Sequence, residues 1–334
     1  MNDQLQRFLV IQTASIGDVI LITPVLEALH RQDPAAEIDV LVKKGNDALF
    51  EGHPFINKVL VWDKSKSKYG GLLRLIREIR NRKYHMVINA QRFLSGGLLT
   101  VCSGAAITAG FDKNPLSSLF THRARHRIGA GGLHEAERNL ELIPAVHPLP
   151  GKALIRLYPS ESDESKVKPY LSGSYITISP ASLWFTKQYP EEKWVAFLDA
   201  LDQGFMVYLL GAKQDIPLND RIMAATSHRA CMNLAGQLSL LQSAALMRGA
   251  RMNYANDSAP LHLCSAVGAP LAAVFCSTVT DFGFGPYDPA QHVIETAQSL
   301  ACRPCGLHGR TSCPEKHFLC AHSITNEQLL SVLA

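Results

Sequence analysis

The chain has 334 residues, 47% of them apolar and 19% charged, which is enough for two compact domains with separate cores. An aromatic content of 7% with no low-complexity tract excludes a disordered, collagen-like or disulfide-scaffold protein. With 33 Lys plus Arg against 29 Asp plus Glu, the net charge of +4 is too even for a dedicated nucleic-acid binder, whose basic residues concentrate into a stripe.

The first apolar run, Phe8 to Ile11, is shorter than the core of a secretory signal and has no basic segment ahead of it. The best candidate for a membrane span, 266–275, contains Gly268 and Pro270 and falls well short of roughly 18 apolar residues. A soluble cytoplasmic protein is expected. Its eight cysteines are then expected to stay reduced or to bind metal, and four of them crowd the C-terminus at 302, 305, 313 and 320.

In chain order, β-branched runs alternate with amphipathic stretches, the pattern of βα units around a parallel sheet. Strands are expected at 8–12, 37–42, 58–62, 85–89 and 106–111, with helices at 19–31, around Leu72 to Ile79, from about Ser95, and at 134–142. Residues 159–173, rich in Ser, Pro, Glu and Lys, read as a linker between a first domain, 1–158, and a second, 174–322. The second series has strands at 175–179, 206–210, 251–255 and 271–275, and helices from Pro190 and at 259–267. Residues 323–334 read as a closing helix. The fold class is therefore α/β, with two Rossmann-like domains facing a central cleft, and ligands are expected at the C-terminal ends of the strands.

Three loops at such strand ends carry polar groups. In Ile11-Gln-Thr-Ala-Ser-Ile-Gly17-Asp18, Gly17 suits a tight turn, and Asp18 stands at the mouth of a helix, as a general base or as an ordinary cap. Between Ser179 and Pro190, Ser182 and Thr186 offer hydroxyls and Lys187 a positive charge for an anionic ligand, or else form a solvated loop. In Asn256-Asp257-Ser258-Ala259-Pro260-Leu261-His262, the unpaired amides of Ser258 and Ala259 can bind an anion and Asp257 can accept from sugar hydroxyls. The plain alternative is a capped helix with His262 packed inside.

Together, segments 11–26, 184–190, 256–270 and the tail Cys302 to Cys320 resemble glycosyltransferase family 9, in particular the ADP-heptose:lipopolysaccharide heptosyltransferases of the heptosyltransferase II-like branch. The resemblance implies a GT-B fold, with an N-terminal acceptor domain and a C-terminal nucleotide-sugar domain. It also implies inverting transfer of heptose from ADP-heptose to an anionic lipopolysaccharide-core glycolipid, with no metal or cofactor needed for chemistry. Asp18 would deprotonate the acceptor, Lys187 and Ser182 would stabilise the leaving diphosphate with the helix start at Ser258 and Ala259, and Asp257 would hold sugar hydroxyls. Two positions depart from the common pattern: Ala259 where many relatives have Gly, and Gln12 or Thr13 where many have a basic residue.

Further candidates are Asp215 after Gly211, as a nucleoside contact or a helix-entry acid, and Leu238 near the base. On the acceptor side stand Arg92, Lys64 with Lys66 and Lys68, and Arg123, Arg125 and Arg127, a basic surface suited to an anionic glycolipid and to peripheral contact with the inner membrane. His134, Glu135 and Arg138 resemble another family element. For the tail, structural zinc at Cys302, Cys305, Cys313 and Cys320 is weighed against reduced thiols, and the thiols are preferred. The competing functions are a family 9 transferase with another nucleotide sugar, a nicotinamide-dependent oxidoreductase and a noncatalytic zinc-binding module. Against the oxidoreductase, no G-x-G-x-x-G follows the first strand, and Gly129-Ala130-Gly131-Gly132 is misplaced for one.

Overall fold

A computed structural model describes residues 5–65, 68–129, 132–144, 154–288 and 290–333. Within them the chain divides into two compact units, Met1–Ile128 with Leu133–Tyr158, and Pro159–Ala334 with Gly129–Gly132. None of the described helices is long and apolar enough to cross a membrane. Lys66 and the Ala130-Gly131 pair lie outside the described residues, as does the side chain of Lys68.

The first unit holds a six-stranded parallel sheet: β1 (Arg7–Ile11), β2 (Glu37–Lys43), β3 (Ile56–Trp62), β4 (Met86–Asn89), β5 (Ile107–Phe111) and β6 (His122–Ala124). The second holds another: β7 (Tyr175–Ser179), β8 (Met206–Leu209), β9 (Cys231–Asn233), β10 (Met252–Asn256), β11 (Leu271–Phe275) and β12 (His292–Glu295). The first is ordered β3-β2-β1-β4-β5-β6 and the second β12-β11-β10-β7-β8-β9. Counted from each unit's own first strand, both are 3-2-1-4-5-6. Strand order reverses between β1 and β4 in one sheet and between β7 and β10 in the other, and the crevice beyond those strand ends is where such sheets bind ligands.

The central strands are continuous apolar runs because parallel strands are covered on both faces. Leu9, Ile11, Leu41, Val87 and Leu99 belong to the first core. In the second, Trp194 packs edge-on between Tyr189 at 5.0 Å and Phe197 at 6.3 Å, and Phe197 meets Tyr254 of β10 at 4.7 Å.

The structure corrects several expectations. The helix expected over 19–31 is two, Ile16–Leu21 and Thr23–Gln32, because Pro24 lacks the N–H that would continue the first. Gly17 lies inside the first of them, so it makes no tight turn. Residues 159–173, which follow the division between the units at Tyr158, carry a helix of their own. Ser160 and Asp163 form a reciprocal cap that starts a helix, Glu161–Val167, and Arg248 pairs with Glu164 of that helix at 2.5 Å. In the closing segment the helix is Asn326–Leu330, tied to β10 by the Tyr254 hydroxyl donating to Leu329 O at 2.9 Å.

Candidate active site

In the first unit the chain leaves β1 through Gln12 and Thr13 and turns into the helix Ile16–Leu21. Ser15 caps it: its N–H and its hydroxyl both donate to Asp18 Oδ2, at 3.0 and 2.5 Å, while the Asp18 N–H points back to Ser15 Oγ at 3.5 Å. Asp18 is thus the third helical residue of a capping box, a feature worth about 1 kcal/mol to the helix start. Both cap bonds fall on Oδ2, leaving Oδ1 outside the box, so capping and proton acceptance can coexist in one carboxylate. Ser15 was not among the sequence candidates, although Ser-x-x-Asp ahead of an apolar run is the readable signal.

Across the strand-order reversal, the Gln91 side-chain N–H donates to Gln12 Oε1, linking the exit of β4 to that of β1. Both side chains are buried. Gln12 is therefore a structural tie between the two strand exits. A positive charge stands beside it: Lys64 Nζ reaches Thr13 Oγ1 at 3.4 Å and lies 4.6 Å from the Trp62 ring centroid. Arg92 is exposed on the next loop, which Asn114 fixes by donating to Gln91 O at 2.8 Å and Phe93 O at 3.0 Å. Arg123, Arg125 and Arg127 are all exposed as well.

The helix Glu135–Leu140 packs on the helix that carries Asp18, with the Asn139 side-chain amide donating to Leu21 O at 2.9 Å. Arg138, 1% exposed, clamps Glu135 Oε2 through Nε at 2.8 Å and Nη2 at 2.5 Å. Removing one partner of such a buried pair costs about 3–5 kcal/mol. Burial pushes the Glu135 carboxyl up, Arg138 opposes that, Asp18 adds to it and Arg92 opposes it, which places Asp18, Arg92 and the pair within one electrostatic neighbourhood. His126 belongs there too, packed edge-on against Phe111 at 4.6 Å. Burial, helped by Arg92 and Arg138, brings its pKa down to about 4. It escaped the sequence reading because its role comes from residues remote in the chain.

His53, packed against Phe55 at 4.5 Å and Tyr158 at 4.7 Å, is likewise lowered to about 4 by burial. Unfolded, both histidines take up protons near pH 6.5. Between about pH 6.5 and 4 the unfolded chain binds more protons than the folded one, so stability is retained above that window and lost as pH falls through it. His53 is expected to remove about 1–2 kcal/mol between pH 7 and 5, and the less buried His126, partly screened by solvent, less than that. Urea unfolding at the two pH values measures this. A His53→Asn, His126→Asn double variant should show less than half the wild-type drop, and an unchanged drop would refute the assignment.

In the second unit, Lys187 Nζ meets Asp257 Oδ2 at 2.7 Å, and the Thr278 hydroxyl donates to the same oxygen at 2.6 Å. Lys187 ends a short 3-10 turn, Phe185–Lys187, after β7, and Asp257 directly follows β10. The pair therefore spans the strand-order reversal. Asn256 makes a second link, donating to Pro180 O at 2.7 Å and accepting the Tyr189 N–H at 3.0 Å. Beside the pair begins the helix Ala259–Val267. Its N-cap, Ser258, is extended and makes no side-chain cap bond, and Pro260 stands in the first turn, so the opening amides keep their capacity for an anion. His262 is buried within this helix.

The polar groups of the Ser179-to-Pro190 loop divide. Ser182 is half-buried, and its carbonyl accepts the Gln188 amide at 2.6 Å. Thr186 is 1% exposed and its hydroxyl accepts the Arg310 N–H at 2.8 Å and the Ser277 hydroxyl at 3.0 Å, so it is built into the fold and does not offer itself to a ligand. Asp215 closes the turn after β8 by accepting the Ala212 N–H at 2.8 Å, the helix-entry role weighed for it above.

In the tail, Cys302 Sγ lies 4.0 Å from His317 Nε2, and the Cys305 thiol donates to Cys302 O at 3.3 Å. Burial and the neighbouring thiols push Cys320 up to about 11 and also raise Cys305. Among the described residues, no three His, Cys, Asp or Glu side chains converge as a metal-holding group.

Two parallel sheets of identical strand order, each in its own α/β unit, are the architecture of the GT-B class. A model of glycosyltransferase family 9 (heptosyltransferase) matches residues 72–312. Lipopolysaccharide heptosyltransferase 1 of Pseudomonas aeruginosa is 28% identical over 319 residues, covering 90% of this chain and 86% of that protein. Among solved structures, a family 9 glycosyl transferase from Veillonella parvula matches with a TM-score of 0.85 at 22% identity, over 100% of this chain and 98% of that one. The ADP-heptose lipopolysaccharide heptosyltransferase II of E. coli matches at 0.79 and 21% identity, over 98% of each. The chain belongs to glycosyltransferase family 9, the heptosyltransferases, and is a transferase. This membership displaces the oxidoreductase and the noncatalytic zinc module.

Proposed function

We propose that this protein transfers heptose from ADP-heptose to the lipopolysaccharide core, with inversion and with no metal in the chemical step. The observation that carries the reading is the Lys187–Asp257 pair beside the uncapped amides of Ser258 and Ala259: a cation and backbone dipoles together, as a diphosphate needs. Asp18 Oδ1 takes the proton of an acceptor hydroxyl as its oxygen attacks the anomeric carbon. The anomeric carbon–oxygen bond to the diphosphate breaks, and the electron pair leaves with ADP. Attack opposite the leaving group inverts the centre. Lys187, Ser182 and the two amides hold the developing charge, so preorganised donors do the work of a Lewis acid. Asp257 orients Lys187 and keeps an oxygen for sugar hydroxyls, and Asp215 takes a nucleoside contact through the carboxylate oxygen that its cap leaves over.

On the acceptor side, Lys64 and Arg92 receive the anionic groups of the glycolipid. Phe93 and Leu94, exposed beside Arg92, suit peripheral contact with the cytoplasmic face of the inner membrane. The tail cysteines serve as reduced structural thiols, in keeping with the burial that raises Cys305 and Cys320.

A calorimetric screen against ADP, UDP, GDP and NAD tests the donor. ADP is expected to bind at least about 10-fold more tightly than the others, with equal affinity in EDTA. Selective binding of UDP or GDP would favour the second reading, a family 9 transferase with another nucleotide sugar.

A further inference from the structure

Residues 303–310 join the two loops that carry the Lys187–Asp257 pair. At one end, Arg303 Nε donates to Cys276 O and Nη2 to Thr278 O, both at 2.8 Å, and the Cys305 N–H donates to Ser277 O at 2.9 Å. This fixes the segment after β11, whose Thr278 hydroxyl holds Asp257. At the other end, the Thr186 N–H donates to Arg310 O at 3.1 Å while the Arg310 N–H donates to Thr186 Oγ1 at 2.8 Å. The Ser277 hydroxyl reaches the same Oγ1 at 3.0 Å, so one threonine oxygen receives both ends. Gly309, at φ +77°, lies flat on the lysine: a Cβ there would stand 2.9 Å from Lys187 Cγ and 3.2 Å from Thr186 Oγ1.

We infer that segment 303–310 is a brace for the donor site, and that Thr186 and Gly309 are positioning residues that act through Lys187. The inference rests on the proposal that Lys187 contacts the diphosphate. A free lysine side chain gives up about 2 kcal/mol of rotamer entropy when it is fixed. A stem already confined by Gly309 and by the Thr186 node gives up less on binding, which is how preorganisation raises affinity.

The test measures ADP affinity by calorimetry, with melting temperature alongside, in Thr186→Val, Thr186→Ser, Gly309→Ala and Lys187→Ala. Thr186→Val is expected to weaken ADP about 10-fold, with the KM for acceptor unchanged. Thr186→Ser, which keeps the accepting oxygen, should restore affinity. Gly309→Ala, which pushes on the lysine stem directly, should weaken ADP similarly and covers the case in which Thr186→Val does not fold. In a Lys187→Ala background, Thr186→Val should add nothing, because its effect passes through the lysine. Wild-type ADP affinity in Thr186→Val and Gly309→Ala, even with lowered melting temperatures, would overturn the brace, as would additive losses in the double variant. Should Lys187→Ala itself bind ADP normally, the diphosphate assignment fails and the brace falls with it. Weakened binding in Lys187→Ala alone would remove only the brace.

Discussion

Asp18→Asn is expected to lower kcat by about 100-fold or more while leaving ADP affinity unchanged, the signature of a lost general base. Asparagine is the informative replacement because the amide oxygen can still accept both Ser15 bonds, so the helix start survives and only the proton acceptor is removed. Alanine would remove the cap as well, at about 1 kcal/mol, and mix a folding effect with a chemical one. Turnover assays under saturating substrates and calorimetry with ADP separate the two quantities. A variant with unchanged kcat would confine Asp18 to its capping role.

Lys187→Ala is the second large effect. Losing a charge-assisted bond to phosphate costs about 1.5–3 kcal/mol, or roughly 10- to 150-fold in ADP affinity. The structure adds to this, because Asp257 is 6% exposed and Lys187 is its ionic partner. With the lysine gone, the buried Asp257 carboxylate would stand unneutralised beside the proposed diphosphate site, with the Thr278 hydroxyl still donating to it. The single variant should therefore bind ADP more weakly than the Lys187→Ala, Asp257→Asn double variant, in which that repulsion is absent. Equal or reversed affinities would show that the pair is structural and does not face the nucleotide.

Much of the fold was legible because its central strands advertise themselves. The runs 175–179 and 271–275 were placed at their observed bounds, since a strand buried on both faces is an uninterrupted apolar stretch between turn residues. The edge strands β6, β9 and β12 were not seen. They span three or four residues and are partly exposed, so propensity and periodicity carry little signal over their length. The helix Glu161–Val167 is not legible because Val167 is its one apolar residue, and a polar Ser-Glu-Lys stretch looks the same whether capped or open.

At the site, the loops were legible and the pairings were not. Asp18, Lys187 and Asp257 each stood out beside a strand end. That Lys187 and Asp257 share a bond, or that Arg138 and Arg92 both act on His126, depends on contacts between segments far apart in the chain. Thr186 shows the reverse error, a hydroxyl in a plausible binding loop whose oxygen is already taken by Arg310 and Ser277.

The central claim is that Asp18 supplies the base and the Lys187 site holds the ADP-sugar in one metal-free transfer. Its most direct test is the mass of a heptose-deficient lipopolysaccharide-core acceptor after incubation with ADP-heptose and purified protein in EDTA. The account predicts addition of one heptose by the wild type and about 100-fold less in the same time by Asp18→Asn. An acceptor left unmodified by the wild type in EDTA but modified once a divalent metal is restored, or modified equally by Asp18→Asn, would contradict it.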